Sequence, residues 1–271
     1  MKTISRERRN PMHIDIYSLE QQGVGQFDGG NIVEQKPIGF SGEGSVVKRV
    51  GPLFYWAWMH AKNGGTIPKH PHQAFEIMTY LVQGKAKHRD SLGTESVVGT
   101  GGAQVMQAGS GLYHEEALIG PDMEGFQIWF EPHLNKALRR NPTYKQYEED
   151  EFPVTSDAGY QVKMVIGEGF PVQVETDVKF WDVTVKPGAV YPHLLPAGRS
   201  LATLVIRGGG AWKSQEDHQA NSYRFQPKDF VLLRTESEVA GVFQAEPDHE
   251  VRLIMIEVPS QTPYPLYRKE R

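Results

Sequence analysis

The 271-residue chain contains no cysteine. Disulfides, thiolate-bound zinc and a cysteine nucleophile are therefore excluded, and any metal held by side chains must use imidazole and carboxylate. Long apolar runs are missing too. None approaches the ~18–20 residues needed to span a bilayer, and no apolar stretch follows the basic start as it would in a signal peptide. A cytoplasmic location is expected. Charge of one sign is also scarce: 29 Lys and Arg stand against 33 Asp and Glu, a formal net charge of −4. That balance gives no electrostatic reason to bind nucleic acid. The locally basic run Lys2-Thr-Ile-Ser-Arg-Glu-Arg-Arg9 is short and mixed in sign, and reads as a solvated arm. Neither nucleic acid nor membrane is expected as a partner.

What is present is the punctuation of an all-β protein, with 28 Gly and 18 Pro cutting the chain into short pieces. Phe54-Tyr-Trp-Ala-Trp-Met-His60 and Phe75-Glu-Ile-Met-Thr-Tyr-Leu-Val82 are aromatic and β-branched runs of strand length. Lys85–Asp90 and Thr94–Val98 flank Ser91-Leu92-Gly93, which predicts a hairpin. Ala103–Met106 and Phe126–Phe130 follow as strands. Between Pro132 and Pro153 the pattern lapses. Leu134–Arg140 predicts a short helix stopped by Asn141-Pro142, and Glu148-Glu-Asp-Glu151 an exposed connection. Strands resume at Gln161–Ile166, Val178–Val185, Leu201–Ile206, Phe230–Leu233 and Val251–Val258. Such spacing argues for sandwiches or barrels, and the length suits two domains of about 130 residues each. The halves echo one another: His70-Pro71-His72 and Thr79–Gly84 parallel Tyr191-Pro192-His193 and Thr203–Gly208. The expected division is an N-terminal arm (1–37), a first barrel (38–131), a linker (132–160), a second barrel (161–258) and a tail (259–271).

Chemistry concentrates in the first barrel. His70 and His72 stand at i and i+2, where a strand puts both imidazoles on one face. Some forty residues on, the turn Ala108-Gly-Ser-Gly111 delivers His114 and Glu116 with the same spacing. Two such pairs on adjacent strands can offer three nitrogens and one oxygen to a single ion, a donor set that suits iron, manganese, nickel, cobalt, copper or zinc. Glu76 joins that face only if the strand runs on from His72 without a bulge, and Glu115 faces away by parity.

Gly64-x5-His70-x-His72-x3-Glu76 followed by Gly84 resembles the first cupin motif, and Gly102 through Gly111 to His114 resembles the second. More narrowly, His70-Pro-His-x-x-Phe-Glu76, Thr79-Tyr80, His88-Arg-Asp-Ser91, Met106-x-Ala-Gly-x-Gly111 and His114-x-Glu116 resemble the pirins. The resemblance covers about Gly64 to Trp129. It implies an all-β bicupin, two tandem double-stranded β-helix barrels, with one mononuclear iron in the first. Cupins in general would use Glu76 as a ligand. The pirin pattern instead assigns the metal to His70, His72, His114 and Glu116 and leaves Glu76 as a near-site residue. Gln73-Ala74 departs from the Arg-Gly usual in pirins, which affects contacts at the pocket mouth rather than the ligands. In the second half His193 stands alone, and no metal is expected there.

The resemblance implies a metal-dependent dioxygenase of the quercetinase type. It would take a flavonol and dioxygen on Fe(II), with Glu116 or Glu76 as the proton acceptor. The alternative it carries is a non-catalytic, metal-sensing regulator that binds a transcription factor or enzyme. Other motifs fall away on context. His88-Arg-Asp90 lacks the remaining elements of a kinase loop and reads as a hairpin flank, while Gly99-Thr-Gly-Gly102 opens no helix that could cradle a phosphate. Trp56, Trp58, Trp129, Trp181 and Trp212 read individually as core. Phe54, Trp56 and Trp58, on one strand face, are expected to line the pocket or fill the barrel.

Overall fold

The computed structural model describes residues 12–215 and 222–267; the basic run at 2–9 lies outside them. Strands dominate, and they form two barrels in tandem packed sheet against sheet. The first is a nine-stranded sheet built around two long strands, Glu76–Asp90 and Leu112–Phe130, paired along nearly their whole length. Register shifts near Leu81 and Gln83 bend the pair. One half of it therefore lies in a flat face and the other curls over to pair with Gly65–His72 and Glu95–Val98. The second barrel closes a seven-stranded sheet on a four-stranded one.

Alternation explains the packing. Met78, Tyr80 and Val82 point toward the second barrel and join a core shared with its Phe180, Leu204 and Phe230. The odd-numbered Ile77 and Leu81 belong to separate clusters within the first barrel. Tyr80 Oη donates to Asp182 across this seam at 2.7 Å, and Arg252 holds the same carboxylate at 2.6 Å. Trp56 and Trp58 also fill the shared core. Phe54 does not share their face, because the register shifts between Leu53 and Tyr55.

Parts of the segments expected as arm and linker pair into the sheets, and the expected tail packs against the first barrel. Met12–Tyr17 pairs with Phe230–Thr235 of the second barrel, burying the alternating Met12, Ile14 and Ile16 against its core. Gly23–Phe27 and Ile32–Ile38 form a hairpin on the edge of the first sheet. Within the expected linker, Thr143–Tyr147 pairs with Ala103–Gln107, and the helix is a single turn at Leu134–Ala137. Tyr264 and Tyr267 of the tail bond to Glu131. No helix among the described residues is long and apolar enough to cross a membrane.

Candidate metal centre

His70 and His72 end the strand Gly65–His72, which lies antiparallel to Leu112–Phe130 with His70 directly opposite His114. Because alternate residues share a face, the three imidazoles converge, with one ligand atom from each within 4.8 Å of the others. Among the described residues this is the one grouping of three or more His, Cys, Asp or Glu that could hold an ion. His70 Nε2 and His114 Nε2 stand 2.9 Å apart.

The surrounding bonds fix what those nitrogens present. His70 Nδ1 lies 2.7 Å from the Pro68 carbonyl, which can only accept, so its proton is on Nδ1 and a lone pair on Nε2. His114 Nδ1 faces His88 Nδ1 at 3.5 Å, and His88 Nε2 lies 2.9 Å from Asp90 Oδ2. The Asp90 carboxylate, a fixed acceptor, also takes the Leu92 and Thr94 amides. Donation from His88 Nε2 to Asp90 leaves His88 Nδ1 as acceptor, and His114 Nδ1–H as donor to it. His114 Nε2 then carries a lone pair facing that of His70. His72 Nε2 is buried and has no hydrogen-bond partner at all. Burial, reinforced by the neighbouring imidazoles, lowers His72 and His114 to about 3, so both rings are neutral at pH 7. Neutral imidazoles with converging, unpaired lone pairs fit a divalent transition metal.

Glu116 sits near this cluster but outside it. Its Oε2 accepts from Gln127 Nε2 at 2.7 Å and its Oε1 from Thr79 Oγ1 at 3.3 Å; Thr79 and Gln127 are cross-strand partners. Glu76 is elsewhere. Ala74, at φ 70°, breaks the alternation after His72, and Glu76 emerges on the face turned to the second barrel. There it accepts from Gln107 Nε2, the Glu175 and Thr176 amides and Thr176 Oγ1 at 2.6–3.0 Å. It is a clamp between the halves, and the near-site placement expected for it does not hold. Glu115 points outward and pairs with Arg89, as parity requires.

Beside His70 and His72 lies a cavity of about 640 Å³. Trp129, expected as core, forms its wall, with its ring edge-on to His72 at 4.8 Å and its Nε1 bonded to Gln127 Oε1. Tyr55 and Phe40 extend that wall. The sequence reading also missed His88 and Asp90. Their i, i+2 spacing on the strand beside His114 was the available signal.

The sequence model of the Pirin family matches residues 53–130, the segment that carries His70, His72, His88, Asp90, His114, Glu116 and Trp129. A Pirin-like protein of Caulobacter vibrioides is 34% identical over 154 residues, 53% of this chain and 55% of that protein; the match spans about half of each. Among solved structures, the bacterial pirin YhhW of Escherichia coli in complex with nickel(II) aligns with a TM-score of 0.72 over 91% of this chain and 99% of its own, at 20% identity. Quercetin 2,3-dioxygenase from Acinetobacter baumannii aligns with a TM-score of 0.76 over 94% and 82%, at 19% identity. Residues 53–130 are thus similar to the pirins, and the matches support a pirin-family cupin. The chain's two barrels are the two cupin folds of a bicupin. In the second barrel the counterpart to His72, His193, is packed against Trp181 and Tyr191.

Proposed function

We propose that this chain is a pirin-type, metal-dependent flavonol 2,3-dioxygenase of the quercetinase type, holding one divalent metal, iron, on His70, His72, His114 and Glu116. The observation that carries the reading is the set of three converging imidazoles, with His72 Nε2 buried and unpartnered, opening on an aromatic-walled cavity. Three imidazoles and a carboxylate leave positions for exogenous ligands on an octahedral ion. The bound metal would act as a Lewis acid that favours the deprotonated form of the flavonol 3-hydroxyl.

The chain's own residues supply the rest. Trp129 and Tyr55 offer flat faces against which a flavonol can stack. Of the two Glu116 oxygens, Oε1 has the longer hydrogen bond, to Thr79, and is the freer to take the 3-hydroxyl proton. Gln127 keeps Oε2 in place meanwhile. Overall, dioxygen oxidises the flavonolate, both its atoms enter the products, the central ring opens and one ring carbon leaves as carbon monoxide. Iron-loaded protein is expected to bleach flavonol absorbance under air but not under nitrogen, with carbon monoxide trapped. Oxygen-independent behaviour and no carbon monoxide across several flavonols would instead favour a regulator that binds a protein partner.

A further inference from the structure

The cavity beside His70 and His72 has a second polar end, built by residues outside the segment that matches the family. Glu34 and Lys36 are alternate residues of the strand Ile32–Ile38 and share a face, and both line the cavity, as does Glu43. Lys36 Nζ lies 3.1 Å from Glu34 Oε2 and 3.2 Å from Glu43 Oε1, with the Lys36 and Glu34 side chains only 6% and 2% exposed. Tyr55 Oη donates to Glu34 Oε1 at 3.3 Å. Gly25 stands opposite Glu34 and leaves room for both heads: a Cβ there would come within 2.5 Å of Glu34 Oε2 and 2.7 Å of Lys36 Nζ, and the two side chains would have to shift. Burying charge costs several kcal/mol per ion, and an apolar replacement is often as stable. A charged cluster on a cavity wall is therefore poorly explained by stability alone.

Between this end and the imidazoles runs an aromatic wall. Phe40 stacks on Tyr55 at 5.1 Å, Tyr55 meets Trp129 at 4.8 Å, and Trp129 meets His72 at 4.8 Å. A planar ligand lying along it would place one edge at the imidazoles and the other at the charged heads. The cluster offers carboxylate acceptors and an ammonium donor, the complement of a phenolic hydroxyl, which both donates and accepts.

We propose that Glu34 and Lys36 are specificity-determining residues that bind the phenolic hydroxyls at the far edge of a planar aromatic substrate, so that the site selects polyhydroxylated flavonols over bare ones. This rests on the proposed function for the substrate's class, but its test does not need turnover. Quercetin carries hydroxyls on both outer rings, whereas 3-hydroxyflavone carries only the hydroxyl that would meet the metal. Anaerobic titration of the metal-loaded protein, read by tryptophan fluorescence, measures both affinities. The wild type should prefer quercetin by about tenfold or more, the scale of a lost charge-assisted hydrogen bond. The Glu34→Gln/Lys36→Met double variant removes both buried charges and leaves Glu43, 20% exposed and held by the Phe40 amide, as the remaining carboxylate; it should lose that preference to within about twofold. Its metal content should stay at the wild-type value, with melting curves confirming the fold. The single variants should each lose part of the preference if they fold. A wild type without preference, or a folded double variant that keeps it, overturns the proposal. Absence of oxygen-dependent turnover alongside an intact binding preference would overturn the dioxygenase reading and leave this one standing.

Discussion

His114 Nδ1 faces His88 Nδ1 at 3.5 Å, and His88 passes the contact on to Asp90 at 2.9 Å. Asp90 is held in turn by two backbone amides of the hairpin turn at 90–94, so a surface turn fixes the tautomer of a ring deep in the barrel. His88 is also stacked on Tyr144 at 4.2 Å, which leaves it little freedom to rotate. Outer partners of this kind raise ligand basicity and set ring orientation. The His88→Phe and Asp90→Asn variants are expected to weaken metal binding by about 10–100-fold without abolishing it. Competition against a chelator of known affinity checks this. Unchanged affinity would mean that the chain of imidazoles is only packing.

Loss of a direct donor should be more severe. His72 Nε2 has nothing else to bond, so the His72→Ala variant is expected to lose stoichiometric metal while staying folded. Elemental analysis of purified protein, alongside circular dichroism, decides it. Undiminished metal in the variant would remove His72 from the ligand set.

Glu76 gives the contrasting case. Its four hydrogen bonds tie the first barrel to the Glu175–Thr176 segment. Glu76→Gln should retain metal and lower the stability of the whole chain by about 1.5–3 kcal/mol, the scale of hydrogen bonds to a charged group. Denaturant unfolding with metal analysis separates the two effects. Loss of metal with unchanged stability would restore Glu76 to the site.

These three residues show what the sequence could and could not reveal. The pairs His70/His72 and His114/Glu116 were legible because period-two alternation is a local property of a strand. Glu76 was misplaced because one residue, Ala74 at φ 70°, breaks that alternation, and nothing in an alanine announces a left-handed backbone. Met12, Ile14 and Ile16 alternate, but the partner of their strand lies more than two hundred residues away, so nothing local distinguishes it from an arm. The hairpin carrying Glu34 and Lys36 pairs with itself and with the nearby strand Leu53–Ala61, yet its sequence carries no clear apolar alternation to mark it. Its charged residues look solvent-facing until the fold lays them against Tyr55 and the cavity.

The second barrel supplies a prediction independent of metal. His193 is 7% exposed, its Nδ1 is 3.5 Å from Tyr191 Oη, and its Nε2 has no hydrogen-bond partner. Burial, with a smaller contribution from Lys179, lowers it from 6.5 to about 4. Above pH 6.5 the ring is neutral in both the folded and the unfolded chain, and stability is unaffected by it. As pH falls below 6.5 the unfolded chain takes up a proton that the folded one refuses until about pH 4, so stability declines across that window. At 1.36 kcal/mol per unit the full loss is about 3 kcal/mol, as an upper bound. His72 and His114 are lowered too and add a decline of the same sign, so the His193 share must be read by difference. The His193→Phe variant cannot take up that proton in either state. Relative to wild type it should therefore gain stability between about pH 7.5 and about pH 4.5. Denaturant midpoints at the two pH values, measured on both proteins with the metal removed, give the difference. Parallel pH dependence in the two would show that His193 is protonated as readily in the barrel as in water, which its burial against Trp181 and Tyr191 argues against.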